Sequence, residues 1–144
     1  MSATRARVLA ALASFRPKEV HIEELGGIVY VRPVTVGGMS KIHATLGEAT
    51  ERMVLAQKKH NEAPTPESAK DLASATEASR HARDRSGVLL MLDCLVDEDN
   101  KRLFSDDEEA LVSSFPGSVA ESIHKAIEQI RDTVKEHPDA AAGN

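Results

Sequence analysis

The sequence predicts a mainly helical α+β domain, with a short N-terminal helix, one β-hairpin and then three or four packed helices. Three observations lead there. Ile42, Leu46, Ala49, Met53 and Ala56, and again Val119, Ile123, Ile127, Ile130 and Val134, recur at the spacing of a helix with one buried face. Apolar and polar residues alternate with period two over Val20–Glu23, shortly before a Gly-Gly pair. The 144 residues show no internal repeat and suffice for one core.

The first element is a short helix, with Val8, Leu12 and Phe15 on one stripe. Its two arginines and short apolar run mimic a signal peptide, but Ser14 and Arg16–Pro17 end the run too soon. Val20 and Ile22 then alternate with His21 and Glu23 as a half-buried strand, and Gly26–Gly27 suits a tight turn. The return strand, Ile28 to Val36, is apolar on both faces at Ile28, Val29, Tyr30 and Val31. One face packs on the protein's own helices; helices or another chain must cover the other. Pro33 cannot donate to a ladder, which marks this strand as an edge and a surface for association. Those four residues are the candidate partner-binding site.

Gly37–Gly38 ends the hairpin, and Ser40 is placed to cap the next helix. The polar segment NEAPTPES, residues 61–68, is a loop. A helix from Pro66–Glu67 is Ala-rich and polar to Arg85, then strongly apolar to Val96. After a polar turn at DEDN, Leu103 and Phe104 re-enter the core, and Ser105 with Glu108 opens a short helix. Ser118 and Glu121 have the spacing of a capping box for the final helix, which Pro138 stops. A single domain is expected over residues 1–137, with the hairpin at about 18–36, the helical part at about 39–135 and a mobile loop at about 60–67. Residues 138–144 read as a disordered tail.

Composition narrows the function. A net charge of −5 argues against nucleic acid or an anionic membrane as partner. The longest strongly apolar stretch, Gly87–Leu92 extended to Val96, is too short to span a bilayer. One cysteine, Cys94, allows no disulfide within the chain and fits a cytoplasmic life. Aromatic residues are only 3% of the chain, so the core rests on aliphatic residues and association is expected to cover some apolar surface.

Tests for chemistry come back weak. Asp97, Asp99 and Glu108 fall where a calcium loop places ligands, but Lys101 and Arg102 occupy positions that need an oxygen ligand and a glycine. Asp106, Asp107 and Glu108 instead suit the first turn of a helix, opposite the positive end of its dipole. Histidines 21, 43, 60, 81, 124 and 137 show no ligand spacing and read as solvated surface groups. The run RHARDR is interrupted by Asp84 and has no aromatics beside it, so it reads as a solvated helix face. No phosphate loop, nucleophile elbow or dinucleotide fingerprint occurs. No enzyme activity, metal or cofactor is expected.

Two stretches, EVHIEELGGIVYVRPVTVGGMSK and LLMLDCLVDEDNKRLFSDDEEALVSSFP, resemble the tail assembly chaperones of long-tailed bacteriophages and prophages. The resemblance covers residues 18–45 and 86–134 and leaves out the Ala-rich middle, residues 56–85. It implies a non-catalytic protein of the bacterial host cytoplasm that binds the tape measure protein and tail tube protein during tail assembly. Self-association into a homo-oligomer is compatible with it. A structural or adaptor subunit retained in the assembled particle is the alternative.

Overall fold

The computed structural model describes residues 3–136, with side chains to residue 132. In chain order it comprises α1 (Ala3–Ser14), β1 (Lys18–Ile22), β2 (Gly27–Val31), α2 (Val36–Glu62), α3 (Pro66–Cys94), β3 (Leu95–Val96), α4 (Glu109–Ser113) and α5 (Gly117–Glu136). This is the mainly helical α+β architecture that the patterning predicts. Pro138 and the tail 138–144 lie outside the described residues, and Val134 lies beyond the described side chains.

The hairpin forms with a turn unlike the expected one. Glu23–Leu25 make a 3₁₀ turn, and Gly26 closes it at φ 62°, donating its N–H to Glu23 O at 3.0 Å. Of the two glycines, Gly26 alone uses a backbone angle that favours glycine; Gly27 already belongs to β2. β2 stops at Val31, short of Val36, and is the central strand of a three-stranded antiparallel sheet, β1-β2-β3. It is therefore not the edge that Pro33 suggested. Pro33 lies past the paired segment, where its missing N–H costs no ladder bond. Leu95 leaves the helix in extended conformation, and Leu95–Val96 pair with Val31 and Tyr30.

The next helix starts earlier than Ser40. Thr35 is the cap: its Oγ1 accepts from Gly38 N at 3.1 Å, so Gly37 and Gly38 lie inside the first turn of α2. The connection from α2 to α3 is only residues 63–65, because Thr65 and Ser68 form a reciprocal capping box at 2.8 and 2.9 Å. α2 and α3 thus make a long antiparallel helical hairpin. Along α3, only Ala75 and Ala82 are buried before Leu89; beyond it, Met91 to Cys94 are all buried.

On α5 the predicted stripe is buried at Val119, Ile123, Ile127 and Ile130, joined by Ala126. Its start is set by Pro116, whose carbonyl accepts from Val119 N and Ala120 N, so Ser118 lies inside the helix and is not the cap. The core joins this stripe to Leu89, Met91, Leu92 and Leu95 and to Ile22 and Val31 of the sheet. Phe104 packs edge-on against Phe115 with ring centres 5.7 Å apart. Leu103, expected in the core, is 47% exposed, because Arg102 bridges to Val96 and the chain turns outward after it. α1 forms as predicted but buries no residue.

Candidate partner-binding surface

The register decides what the four candidate residues do. Val29 pairs with Val20 and Val31 with Lys18, while Ile28 pairs with His21 and Tyr30 with Glu19. Directly opposed residues share a face. Val20, Ile22, Val29 and Val31 face the helices and pack in or against the core, and Val31 is fully buried. The outer face carries Glu19, His21, Ile28 and Tyr30; Ile28 is 52% exposed and Tyr30 is half-buried. Of the four, only Ile28 is exposed, while Tyr30 stands opposite Val96 of β3, which is fully buried on the same face. Val29 and Val31 hold the strand in place.

A polar clamp fixes this sheet to the end of α3. Asp93, buried in an apolar run, accepts from Thr35 N at 2.7 Å and from Thr35 Oγ1 at 2.9 Å. Arg32 lies 3.6 Å from the same carboxylate and donates through Nε to Asp93 O at 2.9 Å and through Nη1 to Asn100 O at 3.2 Å. Arg102 Nε donates to Leu92 O at 2.9 Å. Two guanidinium groups thus sit on the last carbonyls of α3, where the helix dipole is negative. Gly38 lets the carboxylate approach, since a Cβ there would lie 2.5 Å from Asp93 Cγ. The sequence reading missed the clamp. Its signal was a lone Asp in LLMLDCLV and a lone Arg in VYVRPV, charges that a buried run tolerates only when paired.

Where the sheet ends, an apolar groove of about 520 Å³ opens between α2, α3 and α5. Val34, Met39, Ile42, Leu90 and Ile127 line it, with Arg83 and Arg131 also on its walls. His124 donates from Nε2 to Gly87 O at 2.9 Å, so this histidine is a structural tie rather than a solvated group. His60 likewise bonds Ser68 Oγ at 2.8 Å, whereas His21, His43 and His81 are exposed as expected.

The acidic stretch is occupied with structure. Asp97 Oδ1 accepts from the N–H groups of Asp99 and Lys101, which shapes the turn around Asn100 at φ 66°. Asp106 joins Lys41 and Arg102, both within 2.9 Å, and the Lys41 hydrogen bond, then that of Arg102, holds its carboxyl below the usual range. Glu108 accepts from Ser105 N at 2.9 Å, and Glu109 pairs with Arg85 at 3.1 Å. Burial, and then the neighbouring Asp93 charge, pushes the Cys94 thiol up to about 12, which leaves it protonated and unreactive at neutral pH.

A family model described as phage tail assembly chaperone matches residues 3–141. The chain belongs to the phage tail assembly chaperone family. The match spans residues 56–85 as well, the segment the resemblance left out. No curated protein and no solved structure matches the chain. Tail assembly is thus the process in which this chaperone-family fold takes part, with tail proteins as its class of partner. Among the described residues, no helix is long and apolar enough to cross a membrane.

Proposed function

We propose that the protein is a non-catalytic chaperone of the bacterial host cytoplasm that binds the tape measure protein and tail tube protein before they assemble. The supporting observation is the outer face of the hairpin, where exposed Ile28 and half-buried Tyr30 stand beside Glu19 and His21. An unassembled helical client leaves apolar stripes in water, and covering them with such a face removes the drive to aggregate. Many weak contacts of this kind along a long client sum to firm retention, and self-association of the chaperone multiplies them. The engaged carboxylates and the protonated Cys94 also favour a binding role over catalysis.

The test is co-expression with the tape measure and tail tube proteins of the same gene cluster, followed by affinity capture. Tyr30→Asp is expected to abolish capture while leaving circular dichroism helicity nearly unchanged, because the side chain sits on the outer face. Undiminished capture would remove the hairpin from the contact surface. Mass spectrometry of purified mature particles decides against the alternative: a retained structural subunit would be present in them, whereas an assembly chaperone is absent.

A further inference from the structure

We propose that the seam between α2 and α3, on the side where α5 lies, is a second docking surface, and that its occupant is an amphipathic helix with an acidic residue in its apolar stripe. The seam shares no residue with the outer hairpin face, and neither role depends on the other. The groove at the sheet end does not stop there. A second hollow of about 340 Å³ follows it up the stem, and Arg83 lines both. On α2 the wall is Met39 and Ile42 below, then Leu46, Ala49 and Met53 above, spaced by three or four residues. On α3 it is Leu90, Gly87, Arg83 and Ser79, at the same spacing. Both stripes therefore border one continuous seam, and from Met39 to Gln57 α2 rises about 27 Å along it.

Small side chains leave the seam open. Ser79, Ser86 and Gly87 stand on the α3 wall, where larger residues would fill it from within. Its apolar groups consequently reach water: Met39 is 38% exposed, and Val54 beside the upper hollow is 60% exposed. Two packed helices offer such a crevice to a third, at the usual interaxial distance of about 8–10 Å.

The walls also select the occupant. Both are helices whose backbone groups bond within the helix, so the seam offers no ladder of N–H and C=O groups to an extended segment. A guest that satisfies its own backbone is a helix, and anchors one turn apart follow the two stripes. Arg83 sets the charge. It is exposed where the two hollows meet and makes no ion pair among the described residues. A helix laid over it takes the guanidinium partly out of water, which is favourable only with a carboxylate opposite. Arg131 is already engaged, with Nε 3.7 Å from Asp132, and Glu128 on the same wall repels an acid at the base end. The guest's carboxylate thus belongs at Arg83. A second copy laid seam to seam, about a two-fold axis through the middle, would set Arg83 against Arg83. α1 of a second copy has no carboxylate to offer.

The experiment is fluorescence anisotropy on the full chain with a labelled peptide of about 18 residues, long enough to follow the seam. It is built on Ala and Gln, with leucines on one helical stripe and one glutamate at the centre of that stripe. Wild type is expected to bind it, and to bind the same peptide with lysine in place of glutamate about tenfold more weakly. Arg83→Glu should reverse that preference. Met39→Gln with Val54→Gln should weaken both peptides by about tenfold, through lost apolar contact. All three side chains are exposed, and circular dichroism checks that each variant is folded. Failure of wild type to bind, or indifference to either change, would overturn the proposal. So would a wild-type dimer in sedimentation velocity that Met39→Gln with Val54→Gln dissociates, since the seam would then belong to a second copy. Tyr30→Asp should bind the peptide as wild type does, and loss of binding there would also overturn the proposal. Its capture of the tape measure protein is a separate readout that tests the hairpin face alone.

Discussion

The two ends of α3 obey different rules. From Leu89 to Cys94 the helix lies against sheet and α5, its last carbonyls held by Arg32 and Arg102. From Pro66 to Arg85 it lies along α2, with Arg85 reaching Glu109 of α4 at its lower end, and buries only Ala75 and Ala82. The first region is a core in which each side chain has a fixed place. The second is a two-helix stem held by small residues, where Val54 and Leu55 on α2 stay 60 and 56% exposed. Helix formation in the stem depends on local capping and on the base that joins it, since it lacks a broad apolar face of its own.

Substitutions at the two ends should therefore diverge, most of all where volume is removed. Ile123→Ala, at 1% exposure, is expected to cost about 3 kcal/mol in urea unfolding. Leu55→Ala in the stem should cost less than about 0.5 kcal/mol. Equal losses would show that the stem is packed as tightly as the base. The glycines of α2 sharpen the contrast next. Gly38→Ala drives a methyl group into Asp93 and should cost about 2 kcal/mol by opening the clamp. Gly47→Ala meets nothing within 4 Å and should raise stability by about 0.5–1 kcal/mol, measured in the same unfolding experiment.

The smallest effect belongs to the ion cluster beside the clamp. Asp106 is held below its ordinary value of 3.8, so its contribution to stability is present above that value and lost as pH falls through the lower, folded-state value. The group is exposed, so added salt should weaken the effect. Melting curves at falling pH for wild type and Asp106→Asn should converge in acid and differ only slightly at neutral pH.

Much of the base was legible. The α5 stripe could be placed because its aliphatic residues repeat over several turns, and the hairpin because Val20, Ile22 and the glycines stand together. The sheet's third strand was hidden, since Leu95–Val96 continue a helical apolar run without a break. Ser40 and Ser118 misled for one reason: Thr35 and Pro116 took the helix starts, and local cap patterns do not reveal which of two candidates tertiary contacts select. Of the candidate site, the apolar character of Ile28–Val31 was readable, but its division into an inner and an outer pair needed the register.

The clamp also sets an order of events as the protein is made. The β1–β2 hairpin leaves the ribosome early and closes on the microsecond scale. Its anchors come late: Thr35 waits 58 residues for Asp93, and Arg32 waits 68 for Asn100. The inner valines of the sheet have no roof until α3 has been translated, and α5, which completes that roof, is the last described helix to emerge. Folding of the base is therefore a terminal event of synthesis, governed by long-range closure rather than by the quick local helices.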